Sequence, residues 1–145
     1  MKRYRFTMES ALRARRAQED AARQRLAAAN HRLTAARQRH ANAVAAYQAM
    51  SPTTEPVERD AFLGARAHEI RMAQDVERTK KAETQVEVEA AVCYAAWVEA
   101  GKQVASLERL DDRRRTEWEL DVRREEAAAV DDVVAYRWNP EGERR

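Results

Sequence analysis

The chain has 145 residues, a charged fraction of 36%, an aromatic fraction of 6%, three Gly, three Pro and one Cys. So charged and aromatic-poor a composition, dominated by Ala, Arg and Glu, excludes a thick globular core and points to long helices or a coiled coil. It also excludes a disulfide framework. Lone Cys93 falls on an apolar stripe and reads as a small hydrophobe rather than a reactive thiol. The opening MKRYRFTMES is basic but runs into charges instead of an apolar stretch, so it does not read as a signal peptide. No run approaches the ~18 apolar residues needed to span a bilayer. A cytoplasmic protein is expected.

From Phe6 to Met50 the chain fits a heptad, with one series at Met8, Arg15, Ala22, Ala29, Ala36, Ala43 and Met50. A second series runs Leu12, Glu19, Leu26, Leu33, His40 and Tyr47. Ala in one core position and Leu in the other permit close helix approach in an antiparallel pair. Arg15, Glu19 and His40 interrupt this seam as tolerated polar positions.

A break follows at residues 51–56, SPTTEP. Pro52 and Pro56 cannot continue the first helix, while Thr54 can cap the next with Pro56 in its first turn. A short connection between long amphipathic helices folds them back on each other.

The second helix is predicted over 57–138. Its seam positions are Phe62, Glu69, Val76, Glu83, Ala90, Trp97 and Val104, interleaved with Ala65, Met72, Thr79, Val86, Cys93, Ala100 and Leu107. Gly101 lies among them and costs about 1 kcal/mol against Ala, which marks a weak point. From Leu107 to Trp138 there is neither Gly nor Pro, and Leu107, Leu110, Trp118, Val122, Ala129, Val133 and Tyr136 keep to one side. Such a stripe requires a cover. Asn139-Pro140 ends the helix, with a frayed tail over 139–145. The fold expected is therefore all-α: one coiled-coil domain over 1–145, an antiparallel two-helix hairpin whose longer C-terminal helix overhangs.

Charge agrees with that pairing. Residues 1–50 carry eleven Lys/Arg and three Asp/Glu, and the remainder sixteen and twenty-two, so a basic helix lies along an acidic one. A turn centred on 51–56 sets Arg5 against Gly101 and Lys102. At about 1.5 Å per residue, a C-terminal overhang of some 35 residues is then left without an intramolecular partner. Binding, not catalysis, is the expected function.

No phosphate-binding Gly loop, nucleophile elbow or HExxH motif is present. His31, His40 and His68 share no ligand spacing with one another or with Cys93, so neither metal nor cofactor is expected. Asp111-Asp112, Glu125-Glu126 and Asp131-Asp132 sit among Arg on a solvated helix, where burial cannot raise a pKa for acid–base work. No enzyme is expected. Two basic clusters, Arg13, Arg15, Arg16, Arg23 and Arg25 on the first helix and Arg113, Arg114, Arg115, Arg123 and Arg124 on the second, lack interleaved aromatics for stacking bases. This disfavours nucleic acid. In a hairpin the two clusters share the open end, where Arg suits docking to carboxylates of a protein.

The opening FTMESALRARRAQEDAARQRLAAA, the helix–break–helix plan and the closing LERLDDRRRTEWEL…REEAAAVDD together resemble the flagellar FliJ family. The family's C-terminal pattern of Leu-x-x-Leu, an Arg run, an aromatic and Glu-x-x-x-Leu-Asp-Glu falls on Leu107, Leu110, Arg113 to Arg115, Trp118, Glu126, Val130, Asp131 and Asp132. Val130 and Asp132 depart from its Leu and Glu. The resemblance implies a stalk-like coiled coil of the flagellar type III export apparatus, needed for flagellum assembly and motility. It implies work with the export ATPase and its regulator, with the cytoplasmic domain of the membrane export gate, and with export chaperones that it escorts. It places the protein at the membrane's inner face through protein partners. By that analogy Arg13, Arg16, Arg113, Arg114, Arg115, Trp118, Arg123 and Arg124 face the ATPase, and His40, Val44, Tyr47 and Phe62, near the turn, face the gate. A structural or adaptor coiled coil of another secretion or rotary assembly is the alternative reading, and a basic helix on nucleic acid a third.

Overall fold

Two long helices account for the secondary structure of the described residues in the computed structural model: α1, Glu9–Gln48, and α2, Arg59–Trp138. The described residues are 3–50 and 58–138, with side chains to 134; the expected turn at 51–56 and frayed tail at 139–145 lie outside them. The helices pack against each other as an antiparallel hairpin, α2 being the longer.

The first helix starts three residues later than the expected Phe6. A turn closes first, with Glu9 N–H donating to Phe6 O at 3.3 Å, and the helical bonding begins with Leu12 N–H to Met8 O at 2.9 Å. Glu9 in the first turn complements the helix dipole. At the far end Met50 N–H donates to Tyr47 O at 3.3 Å, tightening the last turn before the prolines.

The seam is where the heptads set it. Leu12, Ala22, Ala29, Ala36 and Ala43 are buried on α1, and Ala90 and Val104 on α2. Glu69, Met72, Val76, Thr79, Glu83, Val86, Cys93, Trp97, Ala100 and Leu107 are half-buried. Alanine every seventh residue lets α1 lie close enough for the larger α2 side chains to fill the gap. Met8, Arg15 and Tyr47, expected in the seam, are exposed, as are Phe62 and Ala65. Polar seam positions find local partners: Glu19 lies 3.6 Å from Arg23, Glu83 lies 3.5 Å from Lys80, and His40 Nδ1 is 3.2 Å from Thr79 Oγ1. The indole N–H of Trp97 is buried without a hydrogen-bond partner among the described residues, an imperfection in the joint.

Contacts divide the described chain into two units. One is Ala17–Gly101; the other joins the N-terminal residues through Arg16 with α2 from Lys102 onward. In the first, Arg32 meets Glu89 at 3.4 Å and Arg37 meets Glu87 at 3.0 Å. In the second, Arg16 meets Glu108 at 2.7 Å. Each bridge takes its Arg from α1 and its Glu from α2, as the charge asymmetry predicts, and each is worth a few tenths of a kcal/mol at this exposure.

The register differs from the expected one. A symmetric turn sets Arg5 against Gly101 and Lys102; instead Glu19 already sits beside Gly101, its Oε1 3.9 Å from where a Cβ on that glycine would stand. The helices are offset by roughly two heptads. As a result α2 begins with turns that nothing on α1 opposes: Phe62 and Leu63 are 60% and 54% exposed. At its other end the uncovered length is shorter than expected. Matching along the seam sets the offset, since lengthening a connection costs only about 0.6 kcal/mol per doubling.

Candidate functional site

The residues before α1 do not end at the helix start but continue along α2. Tyr4 reaches Asp111, its hydroxyl donating to the carboxylate Oδ1 at 2.6 Å with the backbone carbonyl oxygen of the same residue 3.1 Å away. Its ring packs against Trp118 at 5.8 Å between centroids, tilted by 52°. The guanidinium of Arg115 lies over the Tyr4 ring, 5.6 Å from its centroid, and 4.0 Å from the Asp111 carboxylate. The result is a clasp of one phenol, one carboxylate, one guanidinium and one indole. It covers the α2 stripe as far as Trp118, so the open length begins at residue 119 rather than near Gly101.

Electrostatics hold the phenol in its protonated form. Partial burial, then the hydrogen bond to Asp111 and the charge of that carboxylate, push Tyr4 up to about 12, while Arg115 and Arg114 pull the other way. A phenolate there would face the carboxylate it now bonds to. The clasp therefore contributes its full stability below the ordinary tyrosine pKa of about 10 and loses it as pH rises through about 12. In a spectrophotometric titration of the four tyrosines, one should ionise late. That late step should vanish in Tyr4→Phe and move toward pH 10 in Asp111→Asn; a late step that persists in Tyr4→Phe would belong to another residue.

The eight residues expected at the ATPase end all fall within the unit that holds this clasp. Arg13 is exposed with Glu9 at 3.6 Å, Arg16 is bridged to Glu108, and Arg124 lies 3.2 Å from Asp121. Arg113, Arg114 and Arg123 are exposed and make no ion pair among the described residues. Trp118 is half-buried beneath Tyr4. Tyr4 and Asp111 were not among the expected site residues. The signal for them was faint, an aromatic two residues ahead of the expected helical pattern, which gives no hint of what it meets.

The second expected group is not assembled. His40 faces Thr79, and Phe62 lies 17 residues earlier on the same helix, about 25 Å away at the α-helical rise. Val44 is half-buried and Tyr47 is 39% exposed, so the offset register separates Phe62 from all three. His40 serves the seam.

Among the described residues no group of three or more His, Cys, Asp or Glu could hold a metal ion. No helix there is long and apolar enough to cross a membrane. The arrangement offers unpaired guanidinium groups, acidic flanks and an apolar stripe, the means of binding another protein. A family profile described as flagellar FliJ protein matches residues 4–143. No curated protein and no solved structure matches the chain.

Proposed function

This chain belongs to the flagellar FliJ family, a component of the flagellar export apparatus, and on that premise we propose that it works as a stalk between the export ATPase and the membrane export gate. The observation that supports this most is the gathering of Arg13, Arg16, Arg113, Arg114, Arg115, Trp118, Arg123 and Arg124 in one unit. Arg113, Arg114 and Arg123 there are exposed and not taken up by carboxylates of the described chain. Guanidinium forks held on a rigid helix suit the carboxylates of a protein surface. That end meets the ATPase and its regulator; the exposed Phe62 and Tyr47 at the turn end serve the gate as separate contacts. On this reading the protein does no chemistry of its own, escorts export chaperones in the cytoplasm, and lies against the inner face of the membrane through its partners.

The ion pairs of α1 weigh against nucleic acid. Arg16, Arg32 and Arg37 spend their charge on Glu108, Glu89 and Glu87, which leaves less of a basic stripe to meet phosphates.

A pull-down with the flagellar export ATPase tests the stalk reading. Retention should fall at least tenfold when Arg113, Arg114 and Arg115 are all changed to Glu. Because Arg115 also covers Tyr4, the double change of Arg113 and Arg114 should give most of the loss with the clasp intact. Undiminished retention of both variants would remove the Arg surface from the ATPase contact, and motile cells after deletion of the gene would remove the function.

A further inference from the structure

Past Trp118 the stripe of α2 goes on, half-buried at Val122 and exposed from Ala129 onward among the described residues. Val122, Ala129 and Val133 continue it at helical spacing, and Val133 is 55% exposed. The charges around this stretch are sorted. Residues 119–134 hold six Asp/Glu and two Arg, and at about 100° per residue Glu119 and Glu126 fall on one flank of the stripe and Asp121, Glu125 and Asp132 on the other. Arg123 and Arg124 fall on the back. An apolar strip bracketed on both sides by carboxylates is what remains.

The covered part of the same helix shows what fits such a strip. There α1 supplies small apolar side chains for the centre and arginines for the flanks, as in the Arg16–Glu108 bridge at 2.7 Å. Glu126 follows Glu108 by eighteen residues, five turns at about 3.6 residues each, and so repeats its position beside the stripe. The open strip is thus continuous in surface and like in charge with one already filled by a basic helix. Among the described residues, α1 is spent on the earlier turns of α2, and the last cross-chain contact is that of Tyr4 with Trp118.

We propose that the strip of α2 from Val122 to Val133 is a docking site for a basic amphipathic helix of a partner protein, with small apolar residues along its centre and arginines on both flanks. This goes beyond the stalk reading, which concerns the Arg residues and Trp118, and does not depend on it. The strip is a little over three turns of about 3.6 residues, and the partner helix must run at least that length.

The test uses the full chain and two labelled synthetic peptides of about 21 residues, each with an Ala/Leu stripe, one with Arg flanks and the other with Glu flanks. By fluorescence anisotropy the Arg peptide should bind at least tenfold more tightly than the Glu peptide. Changing Glu119, Glu126 and Asp132 together to Lys should reverse that preference. Val133→Asp, on an exposed site that leaves the hairpin's circular dichroism unchanged, should weaken the Arg peptide at least tenfold. Equal binding of the two peptides, binding of neither, or binding indifferent to both variants would overturn the proposal. So would a dimer of the chain that Val133→Asp dissociates, because the strip would then belong to a second copy.

Discussion

Ala29→Asp is expected to cost the hairpin about 3 kcal/mol, a carboxylate placed without a partner in a closed apolar joint. Ala29 is fully buried, at 0% exposure, midway in the run of Ala22, Ala36 and Ala43 that lets the helices approach. The side chain has no route to solvent except by forcing the helices apart, and separation exposes the neighbouring alanines and the α2 residues above them. Its neighbour Ala28 is exposed, so Ala28→Asp serves as the control: it carries the same loss of helix propensity, about 0.7 kcal/mol or less, and nothing more. Thermal unfolding followed by circular dichroism should place the Ala29 variant roughly 10 °C below the parent and the Ala28 variant within about 2–3 °C of it. Similar midpoints for the two would mean that the alanine seam does not hold the helices together.

Leu12→Ala should cost about 2–3 kcal/mol and act locally. Among the described residues, Leu12 and Val104 are the buried apolar residues of the unit that carries the clasp, so truncating Leu12 removes much of what that unit buries, and the joint is too narrow to collapse onto the gap. The effect belongs at the start of α1 and along the α2 turns that face it. Amide exchange should quicken over residues 9–16 and 102–118 while protection over 22–43 changes little. Quenching of Trp118 by a small solute should rise in parallel, because Tyr4 is held over it only while α1 is in place. An equal loss of protection over 22–43 would show that Leu12 is not a local anchor.

The two heptad repeats were legible because periodicity and side-chain size are local properties. Ala22, Ala29, Ala36 and Ala43 fall in the seam for the reason that they recur every seventh residue among charges, and Ala90, Trp97 and Val104 do the same on α2. The offset between helices was not legible, and the repeat itself is the reason. Sliding one helix past the other by seven or fourteen residues returns apolar positions to apolar positions, so the pattern is satisfied at each step. What separates the alternatives is which particular side chains meet, Arg16 with Glu108 or Arg37 with Glu87, and such choices are resolved only in three dimensions.

The same degeneracy explains the fate of the candidate residues. The arginines from 113 to 124 share a stretch of α2 whatever the offset, so their grouping survives. Phe62 depended on the offset to stand near His40 and Tyr47, and it does not. The clasp escaped notice because its phenol precedes the helix, where neither heptad nor cap says what an aromatic will touch.

The hydrogen bond from Tyr4 to Asp111 joins residues 107 positions apart, and this has a consequence for how the protein is made. Synthesis at about 5–20 residues per second separates the emergence of the two by roughly 5–20 s. For part of that interval the Arg-rich first helix is outside the ribosome without the acidic helix that will cover it. Pairing can start only near the turn and must travel toward the chain's first residues, so the clasp is the last contact made. By the same ordering it is among the first to open, leaving Trp118 accessible before the alanine seam parts.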